Sequence, residues 1–353
     1  MTTQALIHSL APTIGDAMLP DFLREYVDLT ESALQDYIAR EPETPVLTEG
    51  LRYALGLDSS ESVHRGKRLR GALCLLVAEG LGATRDLALP YALSVEILHQ
   101  FLLVHDDLED GDRTRRNRPA VWARYGFAHG INIGDFLAAK TYSVLLTSSG
   151  NGLCNAKILQ LLGLLNNTML VLGRGQASDL AGENRREMRL SDCESIAIMK
   201  TGQCWISALL GGAIIADGSD TIRQSLVSYA NATGLAYQIV DDSLDLTPGK
   251  GRTQIGSDIR EGKRTWLAVA TAEQCNHEER KRLYDVLDLP RDETSDKDVN
   301  WLIDLYQKYN IIELAAQRTE DLVEQAVDSI AALPQPLRER LTEIARSMAQ
   351  RKS

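Results

Sequence analysis

The sequence LPYALSVEILHQFLLVHDDLEDG, residues 89–111, carries most of the structural information in this chain. Its apolar residues recur at helical spacing, with Pro90 near the expected start of the helix and Gly111 near its end. Asp106 and Asp110 lie four residues apart, so on a helix both carboxylates leave the same face, one turn apart. This stretch therefore predicts a long apolar helix that ends in paired carboxylates.

A second stretch, ATGLAYQIVDDSLDLTPG at residues 232–249, repeats this pattern. Asp241 and Asp245 are again four residues apart, and Gln238 aligns with them on the same face. A single pair of this kind is most often a solvated helix face. Here each pair follows a long apolar helix, where a solvated face would be unusual, so the repetition indicates one shared site.

We call DDLED at 106–110 the first aspartate motif and DDSLD at 241–245 the second aspartate motif. Carboxylates held this close repel one another unless a cation lies between them, and Mg²⁺ binds one or two carboxylates together with substrate phosphates and water. The two motifs therefore indicate chemistry on a diphosphate. An EF-hand calcium loop beginning at Asp106 is excluded, because its third and twelfth positions are Leu108 and Asn117 instead of oxygen and Glu ligands.

The composition favours one large all-α domain spanning residues 1–353, since ten prolines lie mostly at apparent helix boundaries and alternating β-branched runs are few. The net charge of −11, from 38 basic and 49 acidic residues, disfavours nucleic acid and anionic membranes as partners. Five scattered cysteines without a CxxC pair fit reduced thiols. With no signal-like N terminus and no apolar run of roughly 18 residues, we expect a soluble cytoplasmic protein without a membrane span.

Helical periodicity also gives approximate element bounds. Helices are predicted at about 16–41, 90–110, 128–149, 153–174, 190–217, 220–246 and 263–275, and in the tail from 299 to 349. The charged, turn-rich segment 288–298 is predicted to be a surface connection.

Four basic groups supply the positive charge that a diphosphate requires. They are the segment GKRLR at 66–70, Arg115-Arg116, Lys200 and Lys263. Each group alone is typical of a solvated surface. Lys200, however, lies in the otherwise largely apolar stretch IAIMKTGQCWISALLGG, where a buried lysine is expected to meet an anion.

Taken in chain order, these elements resemble the motifs of the trans-isoprenyl diphosphate synthases: GKRxR, ExxH, DDxxD followed by RR, GQxxDL, KT, QxxDDxxD and D…GKxT. The resemblance runs from about residue 66 to residue 270, and the ordered set is far more specific than any single motif. It implies a single helical bundle of the isoprenoid synthase type with a central active-site cavity. It also implies a short-chain prenyltransferase that forms a homodimer.

The resemblance assigns roles to individual residues. The metal ligands would be Asp106, Asp107, Asp110, Asp241 and Asp245, with Asp242 in support. The pocket for isopentenyl diphosphate would contain Lys67, Arg70, His99 and Arg116. The allylic diphosphate would meet Arg115, Lys200 and Lys263, and the allylic carbon would be flanked by Lys200, Thr201 and Gln238.

The implied reaction is ionisation, condensation and elimination, without a protein nucleophile. The resemblance implies three Mg²⁺ ions, with Mn²⁺ as a substitute, and an allylic primer of dimethylallyl, geranyl or farnesyl diphosphate. One departure concerns Gln254, which stands where the family often has a lysine, nine residues before Lys263. One cationic contact to the allylic diphosphate would then be missing.

Phe101 and Leu102, five and four residues before Asp106, are expected to form the floor beneath the growing product. In the family, an aromatic residue only at the fifth position, with no insertion in the first motif, goes with geranylgeranyl diphosphate. A farnesyl or C25 product is an alternative, as is a non-catalytic subunit of a heteromeric synthase. A class I terpene cyclase is disfavoured, because DDSLD does not match the second motif of those enzymes.

Overall fold

The computed structural model of the chain describes residues 20–59, 61–147, 152–182, 185–247 and 255–349. These residues are helical almost throughout, which confirms the all-α prediction. The helices are α1 (Arg24–Ala39), α2 (Leu47–Ala54), α3 (Ser62–Arg65), α4 (Leu69–Gly80), α5 (Arg85–Glu109), α6 (Val121–Tyr125), α7 (Phe127–Thr147), α8 (Asn155–Gly182), α9 (Leu190–Ala197), α10 (Gln203–Ile215), α11 (Asp220–Leu244), α12 (Ser257–Arg260), α13 (Trp266–Gln274), α14 (His277–Leu287), α15 (Asp296–Lys308), α16 (Ile311–Ser329) and α17 (Gln335–Ala349).

Helix α10 forms the centre of the bundle. It is apolar on nearly all sides, and a helix of that kind is stable in water only when other helices surround it. It packs against α4, α5, α8 and α11, and Trp205 near its start is completely buried. The two helices that end in the aspartate motifs, α5 and α11, are therefore held side by side through α10.

Helix α5 begins earlier than the sequence suggested. Its first residue is Arg85, which follows the extended Thr84, so Pro90 lies inside the second turn instead of at the start. A proline this close to the N terminus removes few hydrogen bonds, which explains why it is tolerated. The C-terminal end is as predicted: Asp110 caps the helix, and Gly111 follows with a left-handed φ of 68°.

Other boundaries differ in ways that bear on the site. Helix α8 continues to Gly182 instead of ending near 174. Helix α13 starts at Trp266, because the Thr265 side chain accepts a hydrogen bond from the Ala268 N–H and caps it. The predicted surface connection at 288–298 is corrected, since its last residues already belong to α15. The start of the predicted helix at 16–41 and the position of Gln254 lie outside the described residues.

A short β-hairpin follows the first aspartate motif, and the sequence analysis did not predict it. Strand β1 (Thr114–Arg115) pairs antiparallel with β2 (Arg118–Pro119). The two turn residues, Arg116 and Asn117, both have left-handed φ values of 51° and 61°, as a type I′ turn requires. The hairpin was missed because the usual Asn-Gly signal is replaced by Arg-Asn.

The described residues show no clear membrane span, although some helices have the length and apolar composition that a span would need. Three helical stretches qualify by length and composition alone: Arg85–Glu109, Asn155–Gly182 and Leu190–Ile215. The apolar windows of the first and third are 67% and 61% buried inside the protein, which accounts for their composition. The window in Asn155–Gly182 is only 28% buried.

Candidate active site

The two aspartate motifs border one site. Lys263, which follows α12, reaches Asp110 of the first motif with an Nζ–Oδ2 distance of 2.8 Å. Asp258 donates its backbone N–H to Asp245 of the second motif at 3.0 Å, and its carboxylate lies 4.0 Å from Lys263. The short segment 257–263 thus contacts both motifs, although they are far apart in sequence.

The surroundings of the first motif destabilise the ionised form of its carboxylates. Burial and the neighbouring Asp110 raise the pKa of the Asp106 carboxyl, and burial raises that of Asp107 to about 6. The motif also lies at the C-terminal end of α5, where the helix dipole disfavours anions. An array of hard oxygen donors in such a field fits a divalent cation.

The middle aspartate of the first motif differs from the outer two. Asp107 is buried and receives the guanidinium of Arg115, with Nε–Oδ1 and Nη2–Oδ1 distances of 2.6 Å. The same guanidinium lies 3.8 Å from Asp106. Arg115 is thereby fixed beside the motif by the hairpin that carries it.

A chain of hydrogen bonds supports the second motif. Thr201 donates to Gln238 at 2.7 Å, Gln238 donates to Asp242 at 2.8 Å, and Asp242 accepts the Trp266 backbone N–H at 3.2 Å. Asp242 is therefore buried and connects α11 to α13. These hydrogen bonds also fix Gln238 and Thr201 relative to the motif.

Lys200 and Thr201 lie in a π-helical turn, Ile198–Gly202, between α9 and α10. Such turns widen a helix locally and are frequent at functional sites. The turn packs backbone to backbone on α11, since a Cβ at Gly234 would lie 2.5 Å from the Cα of Gly202. Side-chain periodicity gives no signal for this turn, so the sequence analysis did not predict it.

Lys200, which was predicted to meet an anion, forms an ion pair with Asp179 of α8. One turn earlier on α8, Gln176 donates to Glu109 at 2.5 Å, next to the last aspartate of the first motif. Both residues come from the GQxxDL element, to which the sequence analysis gave no contact. Helix α8 therefore positions the lysine and the end of α5 together.

A second group of cations lies near Arg115. Burial, with the adjacent guanidiniums of Arg68 and Arg115, lowers the pKa of Arg116 to about 10. Burial is the main cause that holds the pKa of His99 well below its ordinary value, and the positive charges of Arg70 and Arg116 lower it further. This imidazole is therefore neutral at pH 7. The Nε of Arg70 is buried without a hydrogen-bond partner. Neighbouring guanidiniums repel one another, and the Nε of Arg70 is a donor without an acceptor. Both features favour the binding of an anion here.

Gly66 makes room for this cationic group. A Cβ at Gly66 would lie 2.6 Å from Nη2 of Arg116, and its φ of 76° is left-handed. Arg116 donates to the carbonyl oxygen of His64 at 3.1 Å, which holds its guanidinium over the glycine. Lys67 is exposed beside it, whereas Arg68 is buried and paired with Glu31 at 2.6 Å.

Both predicted floor residues are partly buried against the main core, and Phe101 also packs against a second cluster of buried residues that includes part of α7. Phe101 packs edge-on against His105, with ring centroids 4.8 Å apart. His105 in turn fills the space beside Gly134 of α7, where a Cβ would lie 2.2 Å from its ring. Leu102 is half-buried against the main core. Phe101 thus belongs to the α5–α7 packing.

Comparison with known proteins places this arrangement in a family. Residues 58–306 match the family model of the polyprenyl synthetases. The chain belongs to this family. It is therefore a prenyltransferase of the isoprenyl diphosphate synthase class, with the short-chain members among its relatives.

Three relatives illustrate the range of this synthase's neighbours. The chain is 32% identical to the geranylgeranyl diphosphate synthase of Sulfolobus acidocaldarius over 312 residues, which cover 88% of this chain and 91% of that one. It is 38% identical over 205 residues to the (2E,6E)-farnesyl diphosphate synthase of Mycobacterium tuberculosis, covering 57% and 55%. Geranylgeranyl pyrophosphate synthetase of Pyrococcus horikoshii superposes with a TM-score of 0.81 at 28% identity, covering 93% and 97%.

Lys263 is expected to stabilise the metal-free protein. Replacing it with Met removes the cation paired with the Asp110 carboxylate and leaves Glu261 with Arg291 alone, so the free energy of unfolding should fall by about 3 kcal/mol. Mg²⁺ should restore part of this loss by binding the uncompensated carboxylates. Denaturant unfolding of both proteins, with and without Mg²⁺, measures the effect.

Lys308→Met is the matched control, because Lys308 pairs with Glu279 on the exposed surface and its loss should change the free energy of unfolding far less than the loss of Lys263. Equal losses for the two variants would contradict the role assigned to Lys263.

Proposed function

We propose that this synthase condenses isopentenyl diphosphate with an allylic diphosphate in a Mg²⁺-dependent reaction, and that its main product is geranylgeranyl diphosphate. The observation that carries the proposal is the contact of Lys263 with Asp110, because the short segment that carries Lys263 also contacts Asp245 and so joins both aspartate motifs. Relatives named geranylgeranyl diphosphate synthases, which match most of the chain, support the product.

Divalent metal is a property of the family, and the donor set described above suits Mg²⁺. We assign metal binding to the outer aspartates, Asp106 and Asp110 in one motif and Asp241 and Asp245 in the other, for up to three ions. When bound, the metal neutralises charge on the departing diphosphate. Asp107 and Asp242 orient the outer carboxylates through their bonds to Arg115 and Gln238.

The chain's own residues then serve the allylic half of the reaction. Arg115, Lys200 and Lys263 bind the diphosphate as its C–O bond breaks, and their partners Asp107, Asp179 and Asp110 hold them in place beforehand. The hydroxyl of Thr201 and the amide of Gln238 flank the allylic carbon, where positive charge develops. The isopentenyl double bond forms the new C–C bond, and the released diphosphate takes the proton that is lost.

The second cationic group serves isopentenyl diphosphate. Lys67, Arg70 and Arg116 offer guanidinium and ammonium donors to its diphosphate, and the neutral imidazole of His99 donates one more hydrogen bond. The unused Nε of Arg70 is the donor that such a ligand satisfies. Arg115 pairs with Asp107 and lies near Arg116, so in this proposal it is close to both substrates.

Activity should require both aspartate motifs. Incubation with isopentenyl diphosphate, each allylic primer and Mg²⁺ should give a C20 diphosphate, measured by chromatographic sizing. Asp106→Ala or Asp241→Ala should lower turnover by about three orders of magnitude or more, since several kcal/mol of charge stabilisation is removed. Asp86→Ala, at the opposite end of α5, is the control and should remain active. A folded wild-type protein that elongates no primer would refute the proposal.

Gly66→Ala should raise the KM for isopentenyl diphosphate about tenfold or more, because the new Cβ displaces Arg116 and weakens a charge-assisted hydrogen bond. The KM for the allylic primer should change little. Gly82→Ala is the matched control, since Gly82 also has a left-handed φ of 98° but a Cβ there meets nothing. A parallel rise in both variants would mean that backbone strain alone is responsible.

Product length should depend on Phe101. Phe101→Ala opens space between α5 and α7, so the product distribution should shift to chains longer than C20. Leu102→Ala tests the neighbouring position, which faces the main core. If both variants remain active and both keep the wild-type distribution, the floor lies elsewhere on α5.

We also propose that the synthase is a homodimer that buries the exposed face of α8. Along this face, spacings of four and three residues alternate, as in a coiled-coil seam. The stripe consists of Leu159, Gly163, Asn166, Leu170, Gly173, Ala177 and Leu180. Leu159 is 69% exposed and Leu170 is 51% exposed, and α7 beside them presents Phe127 and Ile131. Apolar surface of this extent on a helix only partly buried indicates an interface.

Leu170→Glu should convert the dimer to a monomer, because it places a charge in the centre of the apolar stripe. Sedimentation velocity measures the change in mass. Glu324→Leu, on an exposed site of α16, is a control for non-specific surface effects. A wild-type protein that sediments as a monomer at micromolar concentration would refute the interface.

A further inference from the structure

Arg291 lies outside every motif of the sequence but reaches the edge of the active site. It belongs to the connection between α14 and α15, and its side chain is 44% exposed. Its Nη1 donates to the backbone oxygen of Asp110 at 3.1 Å and to the Asp112 carboxylate at 3.0 Å. Its Nη2 donates to Asp112 at 3.1 Å and lies 3.3 Å from Glu261.

These contacts join two loops that approach from opposite motifs. Asp110 and Asp112 belong to the loop after α5, whereas Glu261 follows α12 and stands two residues before Lys263. One guanidinium therefore fixes the end of the first motif relative to the segment that carries Lys263. A cation at this position also suits the C-terminal end of α5, where carbonyl groups lack helical partners.

Glu261 competes with the proposed diphosphate substrate for Lys263. Its carboxylate is only 5% exposed, and neither oxygen has a well-formed hydrogen bond, so ion pairs alone compensate its charge. It lies 2.7 Å from Lys263 and 3.3 Å from Arg291. Without Arg291, Glu261 would depend on Lys263 alone.

We propose that Arg291 is a positioning residue for the allylic diphosphate: by sharing the charge of Glu261 and bracing the loop at Asp112, it leaves Lys263 free to turn towards the substrate. The proposal rests on the proposed function of Lys263. Arg291 itself touches Asp110 only at the backbone, so its effect reaches the diphosphate through Lys263.

The test compares four variants of the full chain: Arg291→Ala, Arg291→Lys, Glu261→Gln, and the double variant Arg291→Ala with Glu261→Gln. Arg291→Ala should raise the KM for the allylic primer about tenfold, since one charge-assisted interaction of the substrate is weakened, and leave that for isopentenyl diphosphate within about twofold. The double variant should recover most of the loss, because the neutral amide no longer holds Lys263. Arg291→Lys should lie between wild type and Arg291→Ala.

Arg186→Ala is the matched control, because Arg186 is equally exposed and pairs with Asp285 and Asp288 in the same region. It should leave both KM values unchanged. Calorimetric titration with inorganic diphosphate and Mg²⁺ gives a readout that needs no turnover, and Arg291→Ala should weaken binding there to the same extent.

An equal rise of both KM values, or a double variant no better than Arg291→Ala, would overturn the proposal. Failure of the proposed function has a different signature. The wild-type protein would then make no prenyl product, whereas the calorimetric series would still report the effect of Arg291 on diphosphate binding.

Discussion

The structure depends on placing carboxylates at the ends of helices where they are least favoured. Both aspartate motifs lie at C-terminal ends, of α5 and α11, where the aligned peptide dipoles contribute roughly half a negative charge. Each carboxylate there is destabilised by about 0.3–1 kcal/mol before mutual repulsion is counted. Three cations offset this negative charge around the first motif: Arg115, Lys263 and Arg291.

The same cations make the site ready for its ligand. Arg115 and Lys263 are already oriented by carboxylates, so binding a diphosphate exchanges one anion for another and orders few new side chains. In the proposed reaction, metal ions would bind the aspartates at the same time. In the free protein the cations pair with the aspartates. In the loaded site of the proposed reaction the same cations would pair with the diphosphate, and metal ions would pair with the aspartates.

The sequence was sufficient for the features that follow from local pattern. Long apolar periodicity predicted the helices around α10, and fixed spacing predicted which aspartates share a face. The type I′ turn at Arg116 and Asn117 was not predictable, because neither residue is a glycine. The π-helical turn at Lys200 depends on close packing against Gly234. The role of Arg291 could not be predicted from local pattern, because it depends on contacts with residues that are far away in the sequence.

Assembly of the site has a consequence for the order in which the chain folds. The bond from Arg291 to Asp110 joins residues that are 181 positions apart. At synthesis rates of ~5–20 residues per second, the first aspartate motif is synthesised about 10–40 s before Arg291. Before Arg291 is synthesised, the chain already contains the helices that α5 packs against, α4, α7 and α10. It also contains Arg115 and Lys263, which pair with the acidic end of α5. The apolar packing of α5 can therefore form before Arg291 joins the two loops at the edge of the active site.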